Sequence, residues 1–140
     1  MEAPIYHKGL ARKGPTSREA VLMHAVARLA LHPLIFNIQT SWVKLGMDGA
    51  TACLSAGAND LGGSLMNESI SRAAGAAHGQ EFGPAEMRTF ILGLGRKPGQ
   101  RTTLYEDVDG DRIIASDSAI ELAPIIQTPA SKFAHGEVSG

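Results

Sequence analysis

Between Ala56 and Glu81 the chain reads AGANDLGGSLMNESISRAAGAAHGQE, a run rich in amides, carboxylates and glycines, set between two stretches that read as ordinary core. Asn59 and Asn67 each donate and accept hydrogen bonds, Asp60 and Glu68 accept them, and Arg72 offers a planar fork that pairs with a carboxylate bidentately. Gly62 and Gly63 allow a ligand to approach the backbone closely. Upstream, in LIFNIQTSWVK, Asn37, Gln39 and Ser41 alternate with Phe36, Ile38, Thr40 and Trp42. In an extended segment the three polar residues therefore share one side, and Lys44 follows as a point charge. Side chains of these types, crowded together with little apolar material, suit the docking of a polar partner.

Each signal also has a simpler reading. Glu68 and Arg72 stand four apart in an expected helix, where an ion pair worth roughly 0.2–0.5 kcal/mol is the plain interpretation. Asn37, Gln39 and Ser41 can equally form a buried hydrogen-bond network, or the wet side of an edge strand. Trp42 suits a core or rim aromatic, and Lys44 a solvated one. His24 and His32 lie eight apart without an acidic partner at ligand spacing, which argues against a metal. Cys53 is the sole cysteine and reads as a small buried apolar residue, so this chain offers no disulfide, thiolate zinc cage or iron–sulfur ligand set. In DVDGD, Arg112 stands where a calcium loop needs glycine, and Ser118 where it needs glutamate. GLGRKPG reads as a helix end followed by a turn.

The positioning elements are legible from pattern. Thr16 and Glu19 form a capping box ahead of an apolar stripe of Leu22, Ala25, Val26 and Leu29, which Pro33 ends. LIFNIQTSW has strand character, VKLGMDGATACLSAG reads as a short helix with Asp48 as N-cap and Gly57 past its end, and ANDLGG reads as a second strand. Strand, helix and strand at this spacing predict a right-handed crossover with parallel strands. A further helix opens at Gly83 and Pro84, carries Met87, Phe90, Ile91 and Leu94 on one face, and closes at Gly95. RKPGQRTTLYEDVDGDR is turn-rich, and DRIIAS reads as a short strand. Residues 1–115 form one unit, and 116–140 a loosely attached tail.

Two parallel strands do not make a stable sheet, because such strands need neighbours on both edges and helices on both faces. The fold class expected is therefore α/β, with strands and helices belonging to an incomplete barrel. With 44% hydrophobic and 19% charged residues and a formal net charge of -1, the chain has no electrostatic case for nucleic acid or an anionic membrane. No apolar run approaches the roughly 20 residues of a membrane helix, and the N-terminus lacks the apolar core of a signal peptide. A cytoplasmic protein is expected.

The stretches NIQTSWVKLG, AGANDLGGSLMNESISRAAGAAHGQE and GQRTTLY resemble the C-terminal part of the FO synthase family, in its tyrosine-dependent, 4-hydroxybenzyl-transferring half. The resemblance runs from about Ala3 to Tyr105, and NDLGGSLMNESISRAAGA makes it specific. It implies the last two parallel strands, with helices and a cap, of a partial (β/α)6 radical S-adenosylmethionine barrel. It also implies S-adenosylmethionine and a four-iron four-sulfur cluster in the full-length enzyme, with tyrosine and 5-amino-6-(D-ribitylamino)uracil as substrates. In that chemistry a reduced cluster cleaves S-adenosylmethionine to a radical that activates tyrosine, whose 4-hydroxybenzyl unit joins the uracil on the way to a deazaflavin. The family's CxxxCxxC loop is absent from this chain, so the chain alone is expected to be inactive. MEAPIY resembles an interior stretch of longer members, so Met1 is expected to be an internal methionine, with the N-terminal barrel portion supplied in cis or in trans. The residues implied to meet substrate or cofactor are Asn37, Gln39, Ser41, Lys44, Asn59, Asp60, Gly62, Gly63, Asn67, Glu68 and Arg72. Alternatives are a piece of a menaquinone-pathway radical enzyme of the aminofutalosine or dehypoxanthine futalosine type, which shares only the shorter SW.K.G and NDLGG parts, or a non-catalytic subunit completing a barrel.

Overall fold

A computed structural model describes residues 4–65, 67–68, 70–73 and 79–120. Its described elements are helical: α1 Pro4–His7, α2 Ser17–Leu31, α3 Trp42–Ser55, α4 Ile70–Ala73, α5 Pro84–Gly93 and α6 Gly110–Asp117. Helix α2 starts as its sequence demands. Thr16 Oγ1 accepts the Glu19 N–H at 3.2 Å, and the Glu19 carboxylate accepts the Thr16 N–H at 2.7 Å, so two orphan donors of the first turn are satisfied reciprocally. The helix stops at Leu31, just before Pro33. Helix α5 likewise opens on Pro84, with the Glu86 carboxylate accepting the Gly83 N–H at 3.1 Å.

The expected α/β architecture is not what forms. Among the described residues there is no β-strand, and the two segments expected as parallel strands meet at one isolated parallel bridge, Gln39 with Asp60. Thr40 N–H donates to Asp60 O at 2.8 Å and Asn59 N–H to Ile38 O at 3.0 Å. Side chains interrupt the ladder on both sides of these bonds. Ile38 N–H is taken by Asn59 Oδ1 at 2.9 Å, and Asp60 Oδ1 turns back to accept the Gly62 N–H at 2.6 Å, so the backbone is diverted from further pairing. With no third described segment on either edge, nothing extends the pairing.

Two further expectations are corrected. Helix α3 begins at Trp42, with Ser41 in the cap position, and not at Asp48; Gly46 (φ 69, ψ -179) breaks its regular turn, which only a residue tolerant of the left-handed region allows. DRIIAS is not a strand but most of α6, because Asp109 Oδ1 accepts the Asp111 N–H at 2.9 Å and caps it. That helix runs through Asp117; residues 121–140 of the expected tail lie outside the described part.

The core gathers Trp42, Ala50, Cys53, Leu54, Ala58 and Leu61, and Met87, Phe90, Ile91 and Leu94 of the α5 region pack against it. Trp42 meets Phe82 edge-on at 5.2 Å between ring centroids, and Phe82 meets Phe90 at 6.1 Å, so an aromatic chain joins α3 to α5. Helix α2 packs on α3, and α6 on α5, where Asp117 and Arg88 form an ion pair at 2.9 Å.

Candidate functional site

A cavity of about 610 Å³ opens between the loop after the bridge, helix α5 and the segment leading out of it. Asn59, Asp60, Gly62 and Gly63 line it, so four of the residues expected from sequence converge there. Facing them are Arg88, Arg96, Lys97 and Arg101, together with apolar Leu54, Met87 and Ile91. Volume and lining are those of a small-molecule site, apolar with a few convergent polar groups.

Asp60 is the electrostatic centre. Its side chain is only 9% exposed and pairs with Arg101, whose Nε and one terminal nitrogen donate to Oδ2 at 2.8 and 2.5 Å. The guanidinium lies 4.0 Å from the centroid of the Tyr105 ring, a cation–π contact that holds it in place, and its other terminal nitrogen donates to Thr102 O at 3.1 Å. Arg96 is tied to the end of α3, donating to Leu54 O at 2.7 Å and to Ala58 O at 3.3 Å, where a cation also suits the helix dipole.

Asn59 lines the cavity but spends its amide on scaffolding. Its Oδ1 accepts from Arg28 at 2.8 Å as well as from Ile38 N–H, and its Nδ2 donates to Asn37 Oδ1 at 3.3 Å. Arg28 also donates to Gly57 O at 2.8 Å and Phe36 O at 2.9 Å, clipping α2 to both bridge segments. Gly62 has φ +83, a backbone conformation that favours glycine, and a Cβ there would stand 2.7 Å from Gln39 Nε2, an amide end that can swing aside. Gly63 O accepts from Trp42 Nε1 at 3.4 Å.

The remaining expected residues lie elsewhere. Asn37 and Gln39 are exposed and do not line the cavity, and Ser41 starts α3. Gln39 O faces the buried His24 ring at 3.3 Å. Lys44 is exposed. Asn67 Oδ1 accepts from Gln80 Nε2 at 3.0 Å. Glu68 caps α4, accepting the Ile70 and Ser71 N–H groups at 2.6 and 3.1 Å. Desolvation pushes its carboxyl up, but the Ser71 and Ile70 N–H groups, the Ser71 hydroxyl and the Lys44 charge together hold it below the ordinary carboxylate value. Arg72 falls in α4, and its side chain lies outside the described part, as does its expected pairing with Glu68.

Sequence reading missed Arg28, Arg88, Arg96, Lys97 and Arg101. GLGRKPG reads as a helix end followed by a turn, yet four of its residues, Arg96, Lys97, Pro98 and Gly99, line the cavity. GQRTTLY carried resemblance without a role for Arg101, and the charge complementarity of Asp60 with a residue 41 positions away has no local signature.

Residues 6–113 match the family model described as the CofH/MqnC C-terminal region. Over 106 residues the chain is 58% identical to a 5-amino-6-(D-ribitylamino)uracil–L-tyrosine 4-hydroxyphenyl transferase of Methanopyrus kandleri, covering 76% of this chain and 29% of that protein. It is 48% identical over 128 residues to an FO synthase of Streptomyces avermitilis, covering 89% of this chain and 15% of that protein. An FO synthase of Nocardia farcinica is 53% identical over 107 residues, 76% of this chain and 12% of its own length. The chain thus spans less than a third of these curated relatives, and no solved structure matches it. The match to the family model over residues 6–113, together with these identities, places this chain in the CofH/MqnC C-terminal region family.

Proposed function

We propose that this chain is the substrate-holding C-terminal segment of an enzyme that transfers the 4-hydroxybenzyl group of tyrosine to 5-amino-6-(D-ribitylamino)uracil in deazaflavin synthesis. The observation that carries it is the 58% identity to the Methanopyrus transferase over a segment in which Asn59, Asp60, Gly62 and Gly63 line a cavity of about 610 Å³. The relatives named above are transferases or FO synthases, which favours this reading over the futalosine type.

The family implies S-adenosylmethionine and a four-iron four-sulfur cluster. The residues here do not fit the cluster: Cys53 is fully buried in the core, and among the described residues no three potential ligands converge. No step is therefore derived through it. What this chain contributes is binding and exclusion of water. Asp60 and the cavity's cations hold charged groups, while Leu54, Met87 and Ile91 give an apolar wall that shields a reactive fragment. The cluster-bearing barrel portion is a partner in cis or in trans. Exposed apolar side chains on and after α2, Leu29 at 83% and Phe36 at 64% among them, are consistent with a surface that such a portion covers.

The test is co-expression of this chain with the barrel portion of the Methanopyrus relative that it does not span, followed anaerobically by mass spectrometry. Adduct formation from tyrosine and 5-amino-6-(D-ribitylamino)uracil is expected only when both pieces are present. S-adenosylmethionine cleavage by the 140-residue chain alone, or an adduct with a different co-substrate, would overturn the reading.

A further inference from the structure

The cavity brings two opposite charges, Asp60 and Arg101, against an apolar lining of Leu54, Met87 and Ile91. Their mutual pairing leaves capacity unused. A guanidinium has five N–H donors and a carboxylate about four lone-pair sites. Arg101 uses three of its donors, two on Asp60 Oδ2 and one on Thr102 O, which leaves two N–H groups. Asp60 accepts twice at Oδ2 and once, from Gly62 N–H, at Oδ1, which leaves one acceptor site. A ligand with a carboxylate beside an ammonium can therefore join the pair without breaking it. Tyr105 stacked on the guanidinium and Gly62 bound to the carboxylate fix both groups beforehand, which lowers the cost of binding.

We propose that Asp60 and Arg101 form a clamp for the zwitterionic end of a free aromatic α-amino acid. The ligand carboxylate accepts the two spare N–H groups of Arg101, its ammonium donates to Asp60 Oδ1, and its ring lies along Leu54, Met87 and Ile91. The choice of tyrosine as that amino acid rests on the function proposed above. The methionyl end of S-adenosylmethionine carries the same zwitterion; the apolar wall favours the aromatic ligand.

Isothermal titration calorimetry of the 140-residue chain with L-tyrosine, tyramine, 3-(4-hydroxyphenyl)propionate and S-adenosylmethionine tests the clamp. Tyrosine is expected to bind at least tenfold more tightly than tyramine, which lacks the carboxylate, or the propionate, which lacks the ammonium. Arg101→Lys is expected to weaken tyrosine at least tenfold while leaving tyramine unchanged; Asp60→Asn is expected to weaken both. Tyramine binding as tightly as tyrosine, no tyrosine binding, or S-adenosylmethionine bound in preference to tyrosine would each overturn the proposal, and the wild-type comparisons need no variant to fold. The co-expressed pair separates this from the functional reading. Tyrosine bound through Arg101 with no adduct formed retains the clamp and rejects the transferase, whereas adduct formation with a tyrosine KM indifferent to Arg101→Lys does the reverse.

Discussion

Asn59 illustrates how a residue type with the right chemistry for a ligand can be absorbed by the scaffold. Its amide ties Arg28, the Ile38 backbone and Asn37 together, so Asn59→Ala should lower stability by about 1–2 kcal/mol, read as a shift in urea midpoint. Thr40 presents the opposite case. It is fully buried, and Oγ1 has no hydrogen-bond partner among the described residues, so Thr40→Val should leave the urea midpoint unchanged or raise it. Among the described residues, two carboxylates contribute to the acid limb of stability. Glu19 is held below its ordinary value of 4.5 by the Thr16 N–H first, then the Thr16 hydroxyl and the Arg12 charge, against a small opposing desolvation; Glu68 is lowered by its α4 contacts despite desolvation. Because the folded state favours both ionised forms, their contribution is present above about 4.5 and is lost as pH falls through the lower folded values. Glu19→Gln should therefore flatten the loss of thermal midpoint below that pH and leave the pH dependence between 6 and about 8 unaltered.

At the level of elements, the Thr16 capping box and the Pro84 start were reliable guides, because both act within a few residues, whereas Asp48 is not the cap of α3 and the apolar stripe of α2 leaves Leu22, Val26 and Leu29 exposed. The capping box at Thr16 and the Pro84 start of α5 formed as expected, and Met87, Phe90, Ile91 and Leu94 all pack on the core. Thr16→Ala should cost about 1 kcal/mol, measured by denaturant unfolding, since it removes the oxygen that accepts the Glu19 N–H. Strand expectations failed for a reason outside local pattern. Alternation in LIFNIQTSW buries Ile38, Thr40 and Trp42 and exposes Asn37 and Gln39, as an extended segment should, but a ladder requires partners that the described residues do not supply. DRIIAS failed differently: its β-branched pair suggested a strand, whereas the Asp109 cap and the Arg88–Asp117 pair favour α6.

For the molecule as a whole, the apolar surface of α2 and the segment after it is the property with the widest consequence. Leu22, Met23, Val26, Leu29, Leu34 and Phe36 are all at least half-exposed or nearly so, a concentration of exposed apolar side chains in one stretch of chain. The isolated chain is expected to bind the dye ANS and to self-associate in analytical ultracentrifugation, and both should diminish on co-expression with the cluster-bearing portion. Sequence alone determined the family, the capped helices, the buried role of Cys53 and four of the cavity residues, because these depend on residue identity and short-range spacing. Only the tertiary structure decided that Asn37, Gln39, Asn67 and Glu68 lie outside the lining of this cavity, and that Arg101 meets Asp60 within it. Such pairings join positions dozens of residues apart, and whether a polar group faces a ligand, a neighbour or water is set by what the rest of the chain packs around it.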